Sequence, residues 1–361
     1  MKKNKIYRLL FLFVGLLALG IMVYKVGMKE IIEGILKTGW GFLAIIVLWA
    51  IIYVFNTLSW YIIIRDGEKK NNKVPFWQVY RVTISGFSIN YITPVVALGG
   101  EPYRILEMKP YLGTHKATSS VILFSMMHIY THFIFWMFSI LLALIYLRLT
   151  LVWSLCLVGL LALLIFVNIY FLKGYKYGLL VKTFRLLGKI PLIKKLVRNI
   201  NENKQDSLKA IDNQIAHLHS QRRSSFYLSV SMEFVTRILG CVEIYIIALA
   251  VSDLFPTLHM NFLDAIIINA GYSLFANLMF FTPMQLGSRE GGFLLAFEAV
   301  GLPSAPAMIV SIVTRIREFF WILIGLLLMR IGGSKISAEE ELEEVPEDGI
   351  DILKGENVEK K

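Results

Sequence analysis

Long apolar runs alternate with short polar breaks along this chain. The runs cover residues 7–24, 40–64, 76–92, 119–147, 150–172, 226–251, 262–281 and 305–329. A bilayer obliges each spanning element to satisfy its own backbone polar groups, so runs of about 18 or more apolar residues predict helices. Two runs are interrupted. The segment 76–92 carries Arg81, Thr83, Ser85, Ser88 and Asn90 and stops at Thr93-Pro94, and 262–281 stops at Thr282-Pro283. Proline and the residue before it both disfavour continued helix. A short helix is expected after each break: residues 102–108 after Gly99-Gly100-Glu101, and residues 293–300 after Gly287-Ser288-Arg289-Glu290-Gly291-Gly292.

Charge orients these segments. Residues 1–8, 65–73 and 173–223 are basic, and the last holds twelve Lys/Arg against three acids. Basic loops remain cytoplasmic. The stretch 173–223 also reads as amphipathic helix lying against anionic lipids. For all three to share one side, residues 76–116 must enter and leave the membrane from the cytoplasm, and 262–304 from outside. An alternative has 76–92 crossing fully, which places a basic stretch outside. The expected fold is therefore all-α and polytopic. It has about six full spans plus two re-entrant helical hairpins forming an inverted-topology pseudo-repeat, with both termini cytoplasmic. Residues 1–331 form the transmembrane domain, and 332–361 an acidic tail of disordered composition.

The hairpins resemble one another. Gly86-Phe87-Ser88, Pro94, Leu98-Gly99 and Glu101 match Gly271-Tyr272-Ser273, Pro283, Leu286-Gly287 and Glu290, with Gly113 and Gly301 later. Broken helices in inverted repeats are a device of alternating-access transporters.

Composition narrows the function. The chain has 361 residues, 56% hydrophobic and 17% charged, with a mean hydropathy of +0.63. That is too apolar for a soluble domain of this length. Its net charge of +11 belongs to membrane topology, and no nucleic-acid motif accompanies it. The two cysteines, Cys156 and Cys241, have no metal or disulfide spacing. No phosphate-binding loop, dinucleotide fingerprint or nucleophile elbow occurs, so no cofactor, metal or catalytic group is expected.

Charged residues inside apolar segments are costly and mark candidate sites. Helix starts at Gly99-Gly100 and Gly287-Ser288 offer backbone N–H groups to an anion. Arg104 and Arg289 add guanidinium groups suited to phosphate, and Glu101 and Glu290 counter that charge or hold a cationic headgroup. Against this stands a purely structural role for Pro94, Gly99, Gly100, Pro283, Gly287, Gly291 and Gly292 in shaping the hairpins, with the Arg and Glu side chains neutralising one another. Glu233 and Arg237, four apart, share a helix face. With Glu243 they point into the bundle, as an internal ion pair or as substrate contacts. Arg315 is a candidate partner for Glu290, within a cluster that includes Arg317 and Glu318. His128 and His132 share a face and read as a hydrogen-bonded core pair. Arg81 faces the cavity or extends to the interface.

At Thr93-Pro94, Leu98-Gly99-Gly100-Glu101 and Arg104, and again from Thr282-Pro283 through Gly291-Gly292 to Gly301-Leu302-Pro303, the chain resembles the lysylphosphatidylglycerol synthase transmembrane region family, also called the flippase-like domain family. The resemblance spans about residues 6–331. It departs where Phe124-Ser125-Met126 replaces an acid–arginine pair that such proteins often carry. It implies a membrane domain that moves a lipid between leaflets. No synthase domain follows here, so the expectation is a standalone member whose cargo need not be an aminoacyl lipid.

The expected function is a non-enzymatic lipid flippase. It would move a phospholipid or polyprenyl-phosphate headgroup past Glu101, Arg104, Arg289 and Glu290. Homo-oligomers are compatible with it. The alternatives are a membrane-embedded lipid-headgroup transferase and a scaffold that docks partners through 173–223.

Overall fold

The structure is a computed structural model that describes residues 24, 29, 32, 36–65, 74–92, 99–177, 223–279, 285 and 287–331. Expectations for the first span, the basic stretches 66–73 and 178–222, the tail, Pro94 and Pro283 lie outside these residues. The chain is an all-α polytopic membrane protein. Its described helices are α1 (Trp40–Arg65), α2 (Phe76–Ile92), α3 (Gly100–Tyr146), α4 (Leu151–Tyr177), α5 (Arg223–Ala250), α6 (Phe262–Leu278), α7 (Ser288–Ala299) and α8 (Ser304–Ile331).

Three described helices, α1, α3 and α4, are long and apolar enough to cross a membrane. The outermost is α4, which exposes Leu151, Val152, Trp153, Leu155, Leu163 and Phe166. At 28 residues each, α5 and α8 are long enough at about 1.5 Å per residue. Their apolar content is lower because Glu233, Glu243, Arg315, Arg317 and Glu318 are buried within them. By contrast α2 and α6 have 17 residues and α7 has 12, shorter than the roughly 20 a full crossing needs.

Sequence and structure differ at two joints. The short helix expected at 102–108 is continuous with the next span, and α3 breaks only at Gly113 (φ 71°, ψ 166°). The helix expected at 293–300 begins at Ser288, so Arg289 and Glu290 lie in its first turn. The start of α6 is set by a capping box: Asn261 Oδ1 accepts from the Asp264 amide at 3.0 Å, and Asp264 Oδ2 accepts from the Asn261 amide at 2.9 Å.

Two large apolar clusters form the core. One gathers Trp60, Val79, Val82, Tyr103, Phe124, Phe226 and Leu326. The other gathers Ile45, Phe135, Ile244, Ile268, Phe293, Phe297 and Val310. All the buried apolar residues of the second cluster that belong to a short helix come from α6 and α7, whereas α2 and the first turns of α3 contribute to the first. Helices α1, α3, α5 and α8 pass through both. Between the clusters lie Tyr53, Ile84 and Trp321.

Helix neighbours also repeat. The contacts α1·α2 and α2·α8 correspond to α5·α6 and α6·α3, while α1 packs most extensively on α5. Small residues let α2 and α8 approach closely. Ser85 Oγ donates to the Gly325 carbonyl at 2.9 Å, and Ser88 Oγ to the Trp321 carbonyl at 3.1 Å.

Candidate functional site

Charged side chains collect in the belt between the two apolar clusters. On α5, Phe226 belongs to one cluster and Cys241 to the other, with Glu233 and Arg237 between them. On α8, Arg315, Arg317 and Glu318 fall between Val313 and Ile322 in the same way. Buried charge in low dielectric persists only when paired or hydrogen-bonded. The partners fall into two groups.

The first group surrounds the start of α3. Asn90, at the end of α2, accepts a hydrogen bond from the Gly100 amide at 2.6 Å and donates to Glu101 Oε1 at 3.3 Å. The Gly100 amide is thus already engaged, which corrects the expectation of a free backbone donor there. Gly99 sits at an ordinary φ of −74°. The glycine that the geometry demands is Gly100, where a Cβ would lie 2.1 Å from the Gly86 carbonyl oxygen. Arg104, 1% exposed, donates to Glu101 Oε1 at 3.2 Å and lies over the rings of Phe87 and Phe124 at 4.6 and 5.3 Å. Cation–π contact shields that face of the guanidinium. Ser125 Oγ completes the shell of Glu101 Oε1 at 3.3 Å.

This group continues onto α5. His128 Nδ1 is 2.8 Å from Glu233 Oε2, and Arg237 Nη2 is 3.1 Å from His128 Nε2 and 3.7 Å from Glu233 Oε2. The expected hydrogen bond between His128 and His132 is not formed. Their rings meet edge to face at 5.4 Å, because His128 is taken by Glu233 and Arg237. Several buried atoms here have no partner in the protein: Glu101 Oε2, Arg104 Nε and Nη2, Glu233 Oε1, Arg237 Nε and His132 Nδ1. Both donors and acceptors are left open.

The second group surrounds the start of α7. Arg289 donates to Glu318 Oε1 at 2.5 Å and to Gln285 Oε1 at 3.2 Å. Arg315 donates to Glu290 Oε1 at 2.6 Å, the pairing expected from sequence, and to the Gln285 carbonyl at 3.5 Å. These contacts hold Gln285 at φ 53°, a left-handed value unusual without glycine. Glu290 Oε2 accepts from the Gly287 amide at 2.8 Å, so that amide is also engaged. Gly287 itself needs glycine, with φ 82°. Arg317 forms a two-pronged pair with Glu243 at 2.8 and 3.1 Å and covers Trp49 at 3.6 Å.

Tyr91 and Tyr272 join the groups. Each lies within electrostatic range of Arg237 in the first and of Arg289, Arg317 and Glu318 in the second. Gly291 and Gly292 face Phe275 and the Tyr272 backbone. Outside both groups, Arg81 is buried and paired with Glu107 at 2.8 Å. No cluster of metal-ligating side chains occurs among the described residues. An apolar groove of about 490 Å³ on the lipid-facing side of α1, lined by Leu43, Val47, Ile51 and Ile246, carries no charge and stands apart from the belt.

The structure also adds residues that sequence reasoning passed over: Glu107, Gln285, Trp49, and the matched serines Ser125 and Ser311. Ser311 Oγ is 3.4 Å from Glu290 Oε1, as Ser125 is to Glu101. A signal was present, a serine 24 residues after one glutamate and 21 after the other. Linear spacing of that length carries no physical meaning before the helices are packed.

The model of the lysylphosphatidylglycerol synthase TM region family matches residues 6–325. The chain belongs to this family. The match includes both hairpins and every charged residue of the belt. No curated protein and no solved structure matches the chain significantly.

Proposed function

We propose that this family member is a transporter rather than an enzyme, and that it moves a lipid phosphate headgroup between leaflets through the charged belt. The observation that carries the reading is the set of buried, unpartnered atoms on Glu101, Arg104, Glu233, Arg237 and His132. Native interiors leave few polar groups unsatisfied, so such a concentration calls for an occupant. Arg104 Nε and Nη2 are donors matched to phosphate oxygens. Glu101 Oε2 and Glu233 Oε1 accept from a hydroxyl or ammonium group of a phospholipid, or from water around a polyprenyl phosphate.

Two re-entrant hairpins in an inverted repeat give this belt access from both sides. The reading is supported by their helix lengths and by their segregation, one hairpin in each apolar cluster. Orientation is supported by charge. The ends of α1 and α8 and the start of α5 share the first cluster, and the stretches 66–73 and 178–222 adjoin two of them. With that half cytoplasmic in the cell membrane, both termini are cytoplasmic and 173–223 meets anionic headgroups.

The test is reconstitution of the full chain into liposomes that carry fluorescent phospholipids of several headgroups in one leaflet. Accelerated exchange between leaflets is expected. Folded protein that accelerates exchange of none of them, including a polyprenyl phosphate, overturns the reading.

A further inference from the structure

The bonding around His128 restricts where a proton can sit. Arg237 Nη2 lies 3.0 Å from His128 Nδ1 and 3.1 Å from Nε2, so its positive charge bears on the ring whichever nitrogen carries the hydrogen and favours a neutral imidazole. With Glu233 ionised, His128 Nδ1 carries that hydrogen and donates it to Glu233 Oε2 at 2.8 Å. An imidazolium would lose its acceptor and face the Arg237 charge across the same contact. Glu233 Oε1, by contrast, is buried, has no partner and keeps free lone pairs.

Several elements contribute charged or polar groups to the surroundings of this carboxylate and of its neighbour Arg237. From α3 come His128, His132 and, within electrostatic range, Arg104. The polar group from α1 is Ser59, whose hydroxyl is within reach of the Glu233 carboxylate and meets Ser229 Oγ at 2.8 Å. Tyr91 of α2 and Tyr272 of α6 face Arg237, and Asn269 Nδ2 donates to its carbonyl at 3.2 Å. The charge from α8 is Arg317, already paired with Glu243. With Glu233 ionised, Glu101 and Glu233 balance Arg104 and Arg237. The group is then neutral and has little net attraction for an anion.

We propose that Glu233 is a proton-binding site coupled to the lipid phosphate site. A solvent proton forms the Oε1–H bond, leaves Arg104 and Arg237 with one unbalanced positive charge, and makes the group complementary to one phosphate anion. Proton and anion then favour each other's binding, and reciprocally so. Lipid and proton travel together, so a proton gradient drives the lipid. This deepens the lipid-phosphate reading above and rests on it.

The test uses purified full-length chain in neutral detergent, titrated with fluorescent phosphatidylglycerol from about pH 5 to about pH 8. Affinity is expected to fall about tenfold per pH unit above the midpoint, with uptake of one proton per lipid in weak buffer. Glu233→Gln should bind as the acid form does at every pH and take up no proton. Thermal unfolding of each variant separates misfolding from lost coupling, and proton uptake by the unaltered chain tests the proposal should the variant not fold. Binding without pH dependence or proton uptake overturns proton coupling and leaves lipid transport standing. Coupling that survives in Glu233→Gln but is lost in His132→Asn overturns the assignment to Glu233. Absence of binding at every pH, for phosphatidylglycerol and for a polyprenyl phosphate alike, overturns both readings.

Discussion

The first hairpin pairs its glutamate with an arginine from its own helix, whereas the second takes its partner from the following span. Glu101 and Arg104 are three residues apart on α3. Glu290 reaches across to Arg315, and Arg289 to Glu318, both on α8. The surrounding framework is otherwise shared. Each glutamate lies in the first turn of a helix after a break, and each meets a serine of the next long segment. The aromatic positions also correspond: Arg104 lies over Phe87 where Phe293 stacks on Tyr272 at 4.1 Å. The difference teaches that one backbone device can serve two ends. Cross-helix ion pairs fasten the second hairpin to α8. The first pairs Glu101 with Arg104 of its own helix, three residues on.

The sharpest way to break this contrast is to remove Glu318. Glu318→Gln strands Arg289 in the core and should cost about 3–5 kcal/mol, read from unfolding in detergent. Glu101→Gln should cost far less stability while abolishing lipid exchange. Equal losses of stability would erase the distinction between the hairpins.

Next in size are the glycines that bring hairpin helices together. Gly100→Ala places a methyl group against the Gly86 carbonyl oxygen and should destabilise by about 1–3 kcal/mol. Gly291→Ala meets only Phe275 Cε1 at 3.7 Å and should be near neutral, with thermal unfolding as the common measure.

A double-mutant cycle on Glu290 and Arg315 should return a coupling of about 1–3 kcal/mol. The same cycle on Glu101 and Arg104 should return a smaller coupling, since that pair is longer at 3.2 Å and lies within one helix. A further small effect on stability belongs to Arg104→Lys, which keeps charge but loses the planar fork. It should leave unfolding within about 1 kcal/mol and lower lipid exchange about tenfold in the liposome assay.

Much of the architecture is legible from the chain because the membrane is a demanding solvent. Apolar runs bounded most of the described spans to within a few residues, as at α2. The pairing of Arg315 with Glu290 was readable as well, since a glutamate in a short helix and an arginine in the next span are natural partners. The Glu107 partner of Arg81 was not. It lies 26 residues away, beyond the break, and nothing local distinguishes it from an interfacial acid.

The sequence by itself determined that this chain is an all-α membrane protein and to which family it belongs. Hydrophobicity and backbone restriction are properties of single residues and their neighbours, so they survive in the linear order. Only the tertiary structure decided which charges meet, that one backbone amide at each helix start is already taken, and which buried polar atoms are left without a partner. Those outcomes depend on distances between helices remote in sequence, where a shift of about one turn, 5.4 Å, exchanges one partner for another.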